Sequence, residues 1–190
     1  MISGIYEKPL LKILKTYYEN KGYKAILHAR LNISWSSIIS DVDLLIKNKN
    51  QAVAIEVKSI KDNFKKGFIQ LDKIAPFVDK VYLATDNEKM IKRYKDFHSY
   101  IGLIYVDKNN NTVIIKKSAL KYPINISIKN LYNLRICCLQ EIAKEFNILP
   151  YQSKLFLAMD IIKYIENRQI KLKLKKIVTF NEHFHLHISK

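Results

Sequence analysis

The stretch "SDVDLLIKNKNQAVAIEVKS", residues 40–59, sets two apolar runs on either side of a polar turn, and the fold follows from how they pair. The second run, Ala52 to Val57, is apolar enough for a buried strand. Yet Glu56 and Lys58 stand two residues apart and therefore share one of its faces. A hairpin turning on Lys49-Asn50 pairs Asn48 with Gln51. In that register Val42, Leu44 and Ile46 meet Val57, Ile55 and Val53 on a uniformly apolar face. The opposite face sets Asp43 against Glu56 and Asp41 against Lys58. A slip of one residue mixes the faces, so the apolar pattern itself selects the register.

Carboxylates opposed across a strand pair destabilise it, and burial makes the repulsion worse unless a cation intervenes. Lys58 offsets one charge. A divalent ion offsets two, and hard oxygen ligands suit Mg²⁺ or Mn²⁺. An amine beside the attacking water completes a set suited to metal-assisted hydrolysis of a phosphodiester.

Working outward, Leu10, Leu11, Leu14, Tyr17 and Tyr18 recur at helical spacing, which predicts a helix over 6–20 with Pro9 in its first turn and Gly22 as its C-terminal cap. A strand over 23–33 and a Ser-rich loop lead into the hairpin. A second helix is expected over 63–75, ended or bent by Pro76, then a strand over 81–85, a polar helix over 87–98, and a hairpin turning on Asn109-Asn110-Asn111. The order α-β-β-β-α-β-α-β-β indicates an α/β domain with a mixed sheet over 1–120. A seam at Lys121-Tyr122-Pro123 opens a basic extension over 121–190. There, helices over 129–147 and 151–167 and a hairpin around Asn181-Glu182 suit a packing extension, a dimer surface or a winged helix-turn-helix.

The 33 Lys and Arg against 17 Asp and Glu give a formal charge of +16, which points to a polyanionic partner, nucleic acid first. No apolar run approaches the ~18 residues of a membrane span, and no signal peptide is read at the N-terminus. Cys137 and Cys138, adjacent, form neither a disulfide framework nor a metal-ligand spacing. They suggest a cytoplasmic setting. The Lys-, Ile- and Asn-rich composition suggests an AT-rich genome such as that of a virus, plasmid or thermophile, the setting being the host's cytoplasm if a virus encodes the chain. His183, His185 and His187 alternate along one strand face, but the outer two would stand ~13 Å apart, too far to share an ion.

Asp43-Leu-Leu-Ile, with Glu56-Val57-Lys58 thirteen positions on, resembles the motif of the PD-(D/E)xK nuclease superfamily. The resemblance covers about residues 5–105 and implies a restriction-endonuclease-like αβββαβ core. Within it, "IEVKS" and "GFIQLDKIAPFVDKVYLAT" look most like archaeal Holliday-junction resolvases. It implies that Asp43, Glu56 and the Val57 carbonyl hold a metal, that Lys58 positions the attacking water and that Glu7 assists. Val42 stands where the family has proline, which leaves the ligands unaffected. Asp41 is an alternative first carboxylate. Gln70, on a stripe with Lys66 and Lys73, is a candidate neighbour of the scissile phosphate. Arg30, Ser34, Lys61, Lys66 and Lys73 are candidate DNA contacts, and Trp35 is as readily a packing residue. The implied activity is a structure-specific DNA endonuclease acting as a homodimer on branched or four-way-junction DNA. A restriction or repair nuclease, or a non-catalytic DNA-binding module, is the alternative.

Overall fold

The structure, a computed structural model, describes residues 4–33, 37–49, 51–96, 98–122, 128–132, 134–149, 153–165 and 178–181. By packing, the chain divides into two compact units, one of Met1–Ala29 with Val42–Tyr122 and one of Arg30–Asp41 with Pro123–Lys190.

The first unit is α/β. Helix α1 (Gly4–Glu19) leads to β1 (Lys24–Ile33), β2 (Ser37–Lys47) and β3 (Ala52–Val57), the end of β1 and the start of β2 belonging to the second unit. Helix α2 (Phe64–Ile74) and a single 3₁₀ turn (Ala75–Phe77) precede β4 (Lys80–Thr85). Helix α3 (Glu88–Tyr94), β5 (Gly102–Asp107) and β6 (Thr112–Lys117) complete it. The strands form a mixed sheet in the order β6-β5-β4-β3-β2-β1. Strands β3, β4 and β5 run parallel, while β2 and β6 are antiparallel to β3 and β5.

The hairpin register is the one the apolar pattern selects: Leu44 pairs with Ile55, Leu45 with Ala54 and Ile46 with Val53. Leu44, Ile46, Val53, Ile55 and Val57 join Leu10, Leu11 and Leu14 of α1 in one core cluster. On the other helix, Phe64, Phe68, Leu71 and Ile74 are buried, and Asn63 caps the first turn by accepting from the Lys66 amide. Pro76 ends α2 in the 3₁₀ turn, as its missing amide requires.

Helix α1 ends in a Schellman motif. The amide of Tyr23 donates to the Tyr18 carbonyl and that of Gly22 to Glu19, with Gly22 at φ 78°. Its start differs from expectation, because the helix begins at Gly4 and Pro9 falls in the second turn. Helix α3 also differs, stopping at Tyr94 rather than 98, with Ile91 and Tyr94 buried.

In the second unit the stretch expected as one helix over 129–147 is two, α4 (Ile128–Tyr132) and α5 (Ile136–Glu145), broken at Leu134-Arg135. Helix α6 (Lys154–Ile165) packs on both. The turn after α5 has Asn147 at φ 54°, where glycine is usual, in a second Schellman motif with Ala143 and Lys144 as acceptors. Strand β7 (Val178–Asn181) pairs antiparallel with the end of β1 at Arg30–Ile33. Ser34, Trp35 and the three histidines of 183–187 lie outside the described residues. No helix among the described residues is long and apolar enough to cross a membrane.

Candidate active site

The carboxyl end of β3 gathers the candidate residues. Burial of its apolar neighbours takes Glu56 inside with them, and only 1% of the residue is exposed. Lys58 follows the strand, and its amide still donates to the Ala84 carbonyl of β4, which fixes the backbone there. The ammonium lies 2.7 Å from Glu56 Oε1, 3.2 Å from the Val57 carbonyl and 3.8 Å from Oε1 of Glu7 on α1. The aliphatic stem of Lys58 runs under Gly67 of α2. A Cβ at Gly67 would stand 2.7 Å from a methyl of Leu83 and 3.2 and 3.3 Å from two carbons of that stem.

Asp43 enters by a different route from the one its strand position suggests. Its Oδ2 accepts the Val57 amide at 2.8 Å, so a side chain takes the place of a backbone acceptor and the β2–β3 ladder stops at Leu44 and Ile55. For the same reason the expected opposition of Asp41 and Lys58 gives way. Asp41 instead accepts from Arg30 Nε at 2.8 Å, both within the second unit, and the partners of Lys58 are Glu56 and Glu7.

The electrostatics follow from crowding acids in a partly dry place. Burial, then the charge of Asp43, raises the Glu56 carboxyl to about 7 against the opposing pull of Lys58. Burial, then Asp43, likewise raises Glu7 to about 7, and a hydrogen bond with Asp62 adds to this. Burial disfavours charge on Lys58, but Glu56, Asp43 and Glu7 outweigh it, and the amine's pKa is raised. The amine is therefore an ammonium at neutral pH.

Asp62 is the acid that sequence reasoning missed. Its Oδ2 accepts from both the amide and the hydroxyl of buried Ser59, which fastens the loop after Lys58, and it stands against Glu7. The sequence carried one usable signal, a Ser-x-x-Asp spacing directly after the strand.

Of the other expected residues, three stand on α2 and one on the loop before it. Gln70 is half-buried on α2, one turn beyond Gly67, and its Oε1 is enclosed without a hydrogen-bond partner. Lys66 is exposed and Lys73 half-buried on the same helix. Lys61 donates to the Tyr6 hydroxyl at 2.9 Å and lies over that ring.

Among the described residues no three His, Cys, Asp or Glu side chains form a ready metal cage. The donor set nevertheless fits a hard divalent cation. Glu56 Oε2 is buried and has no hydrogen-bond partner, and the Lys58 ammonium already stands against Glu56, Glu7 and the Val57 carbonyl as an internal counter-ion. No protein-family model matches this chain, nor does any curated protein or solved structure.

Proposed function

We propose that the chain is a divalent-metal-dependent DNA endonuclease built on a restriction-endonuclease-like core. One observation carries the reading above the rest: a buried carboxylate, Glu56, with an unpartnered oxygen, crowded by Asp43 and Glu7 and relieved by Lys58. A cluster of that kind is costly to fold and is kept where charge is needed for chemistry. The surplus of basic side chains supplies the complementary field for a polyanion.

Asp43, Glu56 and the Val57 carbonyl would hold the metal, Mg²⁺ or Mn²⁺. When bound, the ion supplies Lewis acidity at the scissile phosphate and neutralises charge there. The chain's own residues do the rest. The Val57 amide holds one oxygen of Asp43 and fixes its orientation. Lys58, charged and with its stem clamped under Gly67, donates hydrogen bonds to a water or a phosphate oxygen from a fixed point. Glu7 and Glu56 hold that ammonium from two sides. Gln70 offers a free amide oxygen on the adjoining helix. Branched DNA as substrate, a homodimer as the acting form and the cytoplasm as setting rest on the sequence resemblance and are part of the same proposal.

The test is nicking of supercoiled plasmid in Mg²⁺ by the wild-type chain and by Asp43→Asn and Glu56→Gln, with Mg²⁺ binding followed separately by calorimetry. Both variants should retain DNA binding and lose both cutting and metal uptake. Cutting at the wild-type rate by both variants would show that the carboxylates are not the catalytic centre. A wild-type chain that binds DNA but neither takes up metal nor cuts would be a binding module.

A further inference from the structure

At the other end of the first unit's sheet lies a cavity of about 160 Å³ that the carboxylate cluster does not use. Tyr17 and Tyr18 of α1, Lys21 just past it, Tyr23, and Lys80 and Tyr82 of β4 surround it, over an aliphatic floor from β2, β3 and β6. No Asp or Glu is among its lining residues. Helix α1 separates it from the first site: Glu7 to Tyr17 is ten residues, roughly 15 Å of helix.

The rings are set rather than loose. Tyr18 is 7% exposed, and Tyr17 and Tyr23 meet it edge-on at centroid distances of 5.0 and 5.9 Å. Tyr82 lies against Gly102 of β5, where a Cβ would come within 2.3 Å of the ring, so that glycine gives the ring its place. The Lys21 ammonium is pinned at 2.6 Å from the Tyr17 hydroxyl and 4.2 Å above its ring. Lys80 ion-pairs with no carboxylate among the described residues. The cavity thus offers aromatic surface, phenolic hydrogen-bonding groups and two cations, with no acid in its lining.

That chemistry fits a ligand with one flat ring and one anionic group. The volume is below the ~300–1,000 Å³ of a drug-sized pocket, which leaves room for one ring and excludes a duplex end. On a chain of charge +16 the polyanion whose repeating unit has this form is single-stranded nucleic acid. We propose that the cavity is a second nucleic-acid contact that takes one unstacked nucleotide, with the base against the tyrosines and the phosphate on Lys21 and Lys80. The inference uses none of the carboxylate cluster and does not depend on whether the chain cuts DNA.

Photo-crosslinking tests it directly. A ten-residue oligodeoxythymidylate with one 5-iodouracil is irradiated with the full chain, and the attached peptide is identified by mass spectrometry. Attachment to Tyr17, Tyr23 or Tyr82 is expected. In parallel, anisotropy of the labelled oligomer is followed against salt for the wild-type chain and for Lys21→Gln/Lys80→Gln. Loss of two phosphate contacts should flatten the slope of log affinity against log salt by about 1.4. If circular dichroism shows the double variant unfolded, Lys21→Gln alone, at an exposed position past the helix, should flatten it by about 0.7. Attachment elsewhere, no attachment, an unchanged slope or no oligomer binding would each overturn the proposal.

Discussion

Replacing Glu56 by Gln keeps the side chain's shape and removes its titration, so the pH dependence of stability isolates what the buried carboxyl does. In the folded chain the group is raised from 4.5 to about 7. The native state therefore binds its proton more tightly than the unfolded state, and the favourable contribution is fully present below pH 4.5. It is lost as pH rises towards 7. The loss corresponds to ~3 kcal/mol at full burial, and at 1% exposure little of it is screened by solvent. Glu7 titrates in the same window and is present in both proteins, so only its mutual repulsion with Glu56 enters the difference, and with the same sign. Urea unfolding of both proteins in metal-free buffer at pH 5 and pH 8.5 supplies the comparison. Whatever the offset at pH 5 from the weaker, uncharged acceptor offered to Lys58, the stability difference should move towards Glu56→Gln by about 2–3 kcal/mol at pH 8.5. A difference that does not change with pH would mean that Glu56 ionises as an ordinary surface carboxyl, and the argument from a crowded, buried acid would fail.

Lys58→Met keeps the stem beneath Gly67 but removes the ammonium, so Mg²⁺ uptake by calorimetry should persist while plasmid nicking falls by roughly two orders of magnitude or more. Gly67→Ala gains about 1 kcal/mol of helix propensity but presses on Leu83 and the Lys58 stem, so cutting should fall by tenfold or more with little change in the urea midpoint. An unaltered rate in Lys58→Met would remove the ammonium from the mechanism, and one in Gly67→Ala would show that clamping its stem does not matter.

The elements that were legible in the sequence are those whose faces are written as a period. The β2–β3 register followed from one apolar face, because only one pairing keeps Leu44, Ile46, Val53 and Ile55 together. The placing of Glu56 beside Lys58 followed in turn from the two-residue repeat of a strand. The end of that ladder did not follow, since the capture of the Val57 amide by Asp43 is a choice between side-chain and backbone acceptors that no periodicity encodes. Asp62 was missed because it sits in a loop, and its role depends on a turn of α1 more than fifty residues earlier. The break between α4 and α5 escaped because an apolar pattern continues through it without glycine or proline. Asn147 took a left-handed position that composition alone would have given to glycine.

Pro9 gives α1 two parts. Its nitrogen carries no hydrogen to offer the Ile5 carbonyl, so the leading turn with Glu7 is tied less firmly than the body that starts at fully buried Leu10. Segments held by fewer hydrogen bonds and less apolar contact open first and on their own. Glu7, which stands 3.8 Å from the Lys58 ammonium, therefore sits on the part of the helix whose amides should exchange first, ahead of the body that begins at Leu10.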